Sequence, residues 1–139
     1  MAALRYECLN KPSVSLLKNL ARLYRAAGWW EKGDTLPRLG RMVAGSHCFL
    51  VASEAGQLVG MARAISDRAS DAYIEEVFVL PSHRRRGIAK AMLKRLMNRL
   101  KKDGLRWGFL IAAGESGPLY GAQGFRKMKR HEAMFWRKS

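Results

Sequence analysis

Residues 77–89 read VFVLPSHRRRGIA, and they contain the most specific structural signal in this sequence. An apolar strand ends at Pro81, three arginines and Gly87 follow, and a long amphipathic helix then begins. The first turn of a helix leaves backbone N–H groups without intrahelical partners, and the helix dipole places partial positive charge there. Arg84, Arg85 and Arg86 add full charges, while Gly87 has no Cβ to obstruct a ligand. The stretch therefore predicts a site for an anion such as phosphate.

The helix that follows is predicted from about Arg86 to Lys102. Its apolar residues recur at helical spacing on one face, and lysine, arginine and asparagine cover the other face. Lys101 and Lys102 suit the negative C-terminal end, and Gly104 terminates the pattern. A long helix that directly follows a buried strand is typical of an α/β domain.

Outside this unit, hydrophobic periodicity predicts the other elements. A weak first strand covers residues 5–9, a helix covers 13–28, and Asp34 caps a second helix that ends at Ala44. Strands follow at 47–53, 58–65 and 72–80, and after the long helix at 107–112. A short helix at 118–122 precedes a final hairpin of residues 125–128 and 133–136. The predicted order is β-α-α-β-β-β-α-β-α-β-β: an α/β (α+β) domain over residues 1–139, with a mixed, mostly antiparallel twisted sheet of six or seven strands and about four helices.

The composition is that of a globular protein with an unusual charge. Lysine and arginine number 26 against 11 acidic residues, which gives a net charge of +15. Such an excess favours a polyanionic partner, and nucleic acid is kept as an alternative, although the cations are spread over several segments. No apolar run approaches the roughly 20 residues that span a bilayer, and no signal peptide is recognisable, so we expect a cytoplasmic protein without membrane contact. A homodimer is left open.

Cys8 and Cys48 lie in different apolar segments, without a CxxC pair or nearby ligands. We expect both to be buried, reduced thiols. The three histidines are similarly scattered, so the sequence predicts no metal site.

Two motifs together resemble the GNAT superfamily of N-acetyltransferases. Arg84, Gly87 and Ala89 fit the pattern [QR]-x-x-G-x-[GA] of its acetyl-coenzyme A signature, preceded by a strand and a proline. Residues 116–125, SGPLYGAQGF, resemble its second half, a short helix that carries a tyrosine and ends in a Gly-aromatic pair. The predicted element order is also the GNAT order. The resemblance implies acetyl-CoA as co-substrate.

On this resemblance, the coenzyme A sites can be assigned by residue. The pantetheine arm pairs with the backbone of Val77, Phe78 and Val79 where the strand separates from its neighbour. The pyrophosphate binds the amides of residues 85–90, and Tyr120 donates a proton to the departing thiolate, since a phenol with a pKa of about 10 is protonated at neutral pH. Ser116 stands where the family often has a pantetheine-binding asparagine. The predicted cofactor contacts are Val77, Phe78, Val79, Arg84, Arg85, Arg86, Gly87, Ile88, Ala89, Lys90, Ser116 and Tyr120.

The predicted base is one of two adjacent glutamates, Glu75 and Glu76. Strand alternation sends them to opposite faces, and simple parity places Glu75 with Tyr73. Family members commonly carry a bulge in this strand, which reverses parity beyond it, so both glutamates are named with Glu75 ranked slightly higher. Trp29 and Trp30, with Tyr73, are predicted to contact the acceptor.

The leading function is therefore acetyl transfer from acetyl-CoA to a primary amine, on a small molecule, a lysine or an N-terminus, in a ternary complex. An acidic site would favour a polyamine or lysine, and an aromatic wall an arylalkylamine. The alternative is a GNAT-fold binding module without catalysis that binds nucleic acid or another polyanion through its basic surface.

Overall fold

The computed structural model describes residues 2–138 as one five-stranded sheet with helices on both faces. The sheet order is β1-β2-β3-β4-β5, antiparallel throughout except for the parallel pair β4–β5. The strands are β1 (Leu4–Leu9), β2 (Cys48–Glu54), β3 (Gln57–Ser66), β4 (Asp71–Val79) and β5 (Trp107–Phe109). The helices are α1 (Val14–Ala27), α2 (Leu36–Gly45), α3 (Ile88–Lys102) and α4 (Gly117–Gly121), and a 3₁₀ turn covers Pro81–His83. The predicted class is confirmed.

The boundaries of α1 and α2 follow from their caps. The Ser13 side chain accepts the amide of Leu16, and Gly28 closes α1 in the left-handed conformation. Thr35, rather than the predicted Asp34, caps α2 by accepting the amide of Arg38. Asp34 instead forms an ion pair with the Arg38 guanidinium, so its carboxylate is one residue too early to serve as the cap.

Two apolar clusters cover the two faces of the sheet. On one face, α3 buries Ile88, Met92 and Leu96 against β2, β3 and β4. On the other face, α1 and α2 bury Leu20 and Leu39 against β2 and β3. The first face carries the turn that is predicted to bind an anion, and the second carries the loop with the paired tryptophans.

A bulge in β4 changes which side chains face which layer. The register between β3 and β4 shifts near Met61 and Arg63, and Glu76 takes a φ of 56° at that point. In a regular strand, side chains five positions apart point to opposite faces. Ile74 and Val79 are five positions apart, yet both point to the α3 layer because the bulge lies between them. The predicted bulge and its reversal of parity are confirmed.

β4 and β5 separate after a short parallel contact. Pairing covers only the register from Asp71 opposite Trp107 to Tyr73 opposite Phe109. One edge of β4 pairs with β3, and the opposite edge, called here the outer edge, pairs with β5 only at residues 71–73. Among residues 2–138, no strand pairs with the outer edge of residues 74–79. The predicted separation of this strand from its neighbour is therefore present.

The prediction of a C-terminal hairpin is wrong. Residues 125–128 and 133–136 form no strands in the described chain, so the sheet has five strands instead of six or seven. Phe125 packs beside Tyr120 and next to Gly108. Alternating apolar residues fit a strand, but a strand also requires a neighbour with free backbone groups in register, which local sequence does not specify.

The prediction of two reduced thiols is also wrong, because Cys8 and Cys48 form a disulfide. Their Cα atoms lie 5.4 Å apart across the β1–β2 pair, where Cys8 stands opposite Leu50. The two residues are 40 positions apart in sequence, and only the strand register brings them together. None of the helices in the described chain is long and apolar enough to cross a membrane.

Candidate active site

The N-terminus of α3 forms an open cradle of backbone amides. Gly87 adopts a left-handed φ of 77° at the N-cap, and no side chain caps the helix there. The first helical hydrogen bond runs from the Ala91 amide to the Gly87 carbonyl at 3.0 Å, so the amides of Ile88, Ala89 and Lys90 have no acceptor within the helix. These free donors, at the positive end of the helix dipole, fit a pyrophosphate.

The three arginines of the turn have different surroundings. Arg84 folds back, and its Nε donates to the Val79 carbonyl at 3.1 Å. Arg86 forms an ion pair with Glu54 at 2.6 Å, which raises the pKa of Arg86 and lowers that of Glu54. Arg85 is exposed, has a φ of 62° and forms no ion pair with another described residue. Of the three, only Arg86 has its charge paired with a carboxylate among the described residues, so the charges of Arg84 and Arg85 are available to a phosphate.

Tyr120 lies on α4 in a partly buried position. Its ring meets that of Phe125 edge-to-face with centroids 6.1 Å apart, and it packs against the same core cluster as Val77 and Ala89. Burial raises the pKa of Tyr120 above its ordinary value, so the phenol remains protonated at neutral pH. Ser116 precedes α4, and its hydroxyl donates to the Ala113 carbonyl at 2.6 Å, so its proton is used within the loop.

A pocket of about 250 Å³ opens between the α1–α2 loop and β4. Trp29 and Trp30 both line it, together with acidic side chains that include Glu31 and Glu76. The Trp29 ring meets that of Phe78 edge-to-face at 5.7 Å. The structure therefore brings the two predicted tryptophans and one predicted glutamate to a single cavity. Its walls are aromatic, and its carboxylates are each paired with an arginine.

Glu76 is held in this pocket by two donors. The Tyr24 hydroxyl donates to Oε1 of Glu76 at 2.9 Å, and Nε of Arg63 donates to the same oxygen. Within residues 2–138, Oε2 of Glu76 accepts no hydrogen bond, so it is free to accept one from water or substrate. Burial, followed by the Glu76 charge, raises the pKa of Tyr24 well above its ordinary value, which keeps the phenol a donor.

The other predicted acceptor-side residues lie outside this pocket. Glu75 is 42% exposed, against 18% for Glu76, and contacts Nη2 of Arg63 at 3.0 Å. Tyr73 stands opposite Phe109 in the β4–β5 pair, and neither Tyr73 nor Glu75 lines the cavity. The bulge is the reason, because it turns Glu76 toward the α1–α2 loop.

Sequence reasoning missed Tyr24 and Arg63. Tyr24 has the helical spacing of a core residue of α1, and it is indeed almost fully buried. It lies 52 residues before Glu76, so no local motif connects them. Arg63 lies in a strand otherwise rich in apolar residues, and an arginine inside such a strand is the one signal that could have found it.

A sequence model of the acetyltransferase (GNAT) domain matches residues 35–135, which is most of the chain. The chain therefore belongs to the GNAT acetyltransferase family. The prediction of an acyltransferase of this family is confirmed.

Solved structures with similar folds agree with this assignment. A protein of unknown function and probable acetyltransferase from meticillin-resistant Staphylococcus aureus shares 18% identity over 99% of this chain and 100% of its own, with a TM-score of 0.80. A GNAT-family acetyltransferase from Streptococcus pneumoniae shares 22% identity over 99% and 98%, with a TM-score of 0.76. The AAC(6')-Iy protein, solved with the bisubstrate analogue CoA-S-monomethyl-acetylneamine, shares 21% identity over 99% of each chain, with a TM-score of 0.74. At these identities the likeness shows the fold.

No group of three or more His, Cys, Asp or Glu side chains that could hold a metal ion occurs in the part of the chain that the structure describes.

Proposed function

We propose that this protein transfers an acetyl group from acetyl-CoA to the primary amine of a small molecule or peptide. The observation that carries the proposal is the free outer edge of residues 74–79, which lies between an uncapped helix N-terminus and a pocket that contains Glu76. An extended ligand with a phosphate at one end fits the first two features, and an amine fits the third. AAC(6')-Iy, a protein of similar fold, was solved with a bisubstrate analogue that joins coenzyme A to acetylneamine.

Each residue then has a defined task. The edge of Val77, Phe78 and Val79 offers backbone groups to the pantetheine arm, and the amides of Ile88 to Lys90 hold the pyrophosphate. Bound acetyl-CoA supplies the thioester acyl group.

The proton transfers fall to Glu76 and Tyr120. As the amine nitrogen bonds to the acyl carbon, Oε2 of Glu76 accepts a proton from it, directly or through one water. As the carbon–sulfur bond breaks, the Tyr120 hydroxyl donates a proton to the leaving sulfur. Tyr24 and Arg63 fix the Glu76 carboxylate by occupying its other oxygen.

The pocket favours an amine with an apolar or aromatic body. Trp29 and Trp30 supply flat apolar surface, and the cavity of about 250 Å³ limits the part of the acceptor that enters it. The three carboxylates of the pocket are each paired with an arginine, so they offer an amine hydrogen-bond acceptors rather than a net negative charge.

The function is tested by acetyl-CoA titration in a calorimeter, and then by thiol release with a panel of aromatic, aliphatic and polyamine acceptors. We expect saturable binding, and faster release with an aromatic amine. Absence of binding at about millimolar acetyl-CoA would remove the proposal.

The acid role is tested with Tyr120→Phe, which keeps the ring contact with Phe125 and removes only the hydroxyl. We expect turnover to fall by about 10²- to 10⁴-fold while acetyl-CoA affinity is unchanged. Tyr6→Phe on β1 is the matched control. Normal turnover in the Tyr120 variant would show that this tyrosine is structural.

A further inference from the structure

The long helix α3 and the turn before it carry a concentration of uncompensated positive charge. Residues 84–102 contain nine lysines and arginines and no acidic residue. Of these nine, only Arg86 and Arg99 form ion pairs with a carboxylate in the part of the chain that the structure describes. The fold places the remaining cations of α3 on the exposed side of the helix. A local excess of one charge concentrates polyanions at this surface.

The exposed cations of α3 lie in two rows along the helix. At about 100° per residue, Lys90, Lys94 and Lys101 fall within about 40° of one another, and they are called here the first row. Arg95 and Lys102, the second row, lie about 100° further around the helix axis. All five residues are exposed. At 1.5 Å per residue the first row extends for about 17 Å.

The strip between the two rows is small and polar. Ala91 and Asn98 lie on it, and every exposed position of α3 is lysine, arginine or asparagine. On one side of the strip, the Arg95 guanidinium stacks on the Tyr6 ring at 4.5 Å, which holds this charge of the second row beside β1. The surface therefore offers two lines of positive charge with room between them.

This arrangement favours a nucleic acid over a membrane surface. A helix that binds lipid inserts its apolar side, but α3 buries Ile88, Met92 and Leu96 against its own sheet. The exposed side of α3 carries no aromatic residue on which the bases of a single strand would stack. A duplex presents instead two lines of phosphates, with one negative charge per about 1.7 Å of its axis.

The dimensions of α3 fit the major groove of B-form DNA. A helix with its side chains is about 10–12 Å across, and this groove is about 12 Å wide. Among the described residues, α3 is the one long helix on its face of the sheet, since its neighbour α4 has only five residues. The exposed side of α3 can therefore approach a duplex without obstruction by a second long helix.

We propose that α3 lies in the major groove of duplex DNA. The first row faces the phosphates of one strand, and the second row faces those of the other strand. Asn98, on the strip between the rows, faces the base edges, where its amide can both donate and accept hydrogen bonds. Five cations contact phosphates, so most of the affinity comes from the release of counterions and depends steeply on salt.

This surface does not depend on the proposed acetyl transfer. Lys94 lies about one turn beyond the free amides at the start of α3, and Lys101 lies about three turns beyond them. Saturating acetyl-CoA should therefore weaken DNA binding by no more than about threefold, a change of less than 1 kcal/mol. A polyanion that merely occupied the pyrophosphate site would be displaced.

The test is fluorescence anisotropy of a labelled DNA duplex of about 20 base pairs, titrated with the full chain between about 0.05 and 0.3 M NaCl. We expect a dissociation constant of about 1–100 µM at about 0.15 M NaCl, and a slope of log affinity against log salt of about −4 to −5. Replacing both lysines in Lys94→Glu, Lys101→Glu should weaken binding by about 10-fold or more and reduce the slope by about two.

The matched control is Lys11→Glu, Lys18→Glu, which changes the net charge equally at two exposed residues outside α3. We expect it to weaken binding by no more than about threefold, with an unchanged slope. All four positions are exposed, so both variants should fold, and a thermal melt verifies this. If the glutamate variant of α3 melts lower than the parent, Lys94→Gln, Lys101→Gln repeats the test with a smaller change.

Five outcomes would overturn the proposal. One is no binding of the duplex by about 100 µM protein at about 0.05 M NaCl. Another is an equal loss in the α3 variant and the control, which would assign binding to the overall charge. The third is displacement of DNA by acetyl-CoA. The fourth is tighter binding of an RNA duplex of the same length, because the narrow major groove of A-form RNA does not admit a helix. The fifth is stronger binding to phosphatidylserine vesicles than to DNA.

Discussion

The anion cradle can be tested with two glycines at opposite ends of one helix. Gly87 precedes α3 with a φ of 77°, and Gly104 follows it with a φ of 87°. A Cβ added at either position meets no atom within 4 Å, so Gly87→Ala and Gly104→Ala introduce the same backbone strain and no internal clash. Only Gly87 lies beside the free amides, so only its added methyl group enters the space that a pyrophosphate would occupy.

The expected magnitudes follow from this comparison. An L-residue in the left-handed region costs about 1–2 kcal/mol, so both variants should melt about 3–8 °C lower than the parent. A hydrogen bond to a charged group contributes about 1.5–3 kcal/mol, and losing one at the pyrophosphate weakens acetyl-CoA binding by about 10- to 150-fold. We expect this loss in Gly87→Ala alone.

The assay is calorimetric titration of both variants with acetyl-CoA, alongside thermal melts. Equal affinities in the two variants would refute the placement of the pyrophosphate at the N-terminus of α3. A weaker affinity in Gly104→Ala alone would refute it as well. A lower melting temperature with unchanged affinity in Gly87→Ala would show strain without ligand contact.

Three further predictions concern the base, the disulfide and pH. Glu76→Gln should lower turnover by about 100-fold or more, while Glu75→Gln should stay within a few-fold; the reverse order in a thiol-release assay would return the base to Glu75. Cys8→Ser removes the disulfide with Cys48, which lies 40 positions further along the chain, and should lower the free energy of unfolding by up to about 4 kcal/mol in urea titrations. Two reactive thiols in the denatured, unreduced parent protein would contradict the disulfide. A hydrogen bond with His47, and to a smaller extent one from Arg99, holds the pKa of Asp103 below its ordinary value. The ionised carboxylate therefore stabilises the fold above about pH 4, and this stabilisation is lost as the pH falls through the lowered pKa. Asp103→Asn should therefore reduce the acid-induced fall of the urea midpoint, and an unchanged fall would count against the ion pair.

Much of the fold could be predicted because its signals are local. The proline, the glycine and the amphipathic repeat that define the anion turn lie within residues 81–102, and each acts through its own backbone or its nearest turn. The same is true of Tyr120, which the pattern of residues 116–125 identifies. Its role as the acid stays a prediction, as does that of the amides at the start of α3.

The C-terminal hairpin shows where local pattern fails. Residues 133–136 have the composition of a strand, and the described chain offers them no partner. Whether they pair depends on which backbone edge lies beside them, and that is a property of the folded sheet rather than of the segment.

The family, the α/β architecture and the position of the turn before α3 could all be predicted from the amino-acid sequence, because each depends on residues close together along the chain. Only the tertiary structure shows which glutamate lines the pocket with Trp29 and Trp30, since one bulge in β4 reverses the parity that alternation would give. It alone paired Cys8 with Cys48, and joined Tyr24 to Glu76 across 52 residues. Register and layer packing set these contacts, and both are properties of the assembled sheet rather than of any one segment.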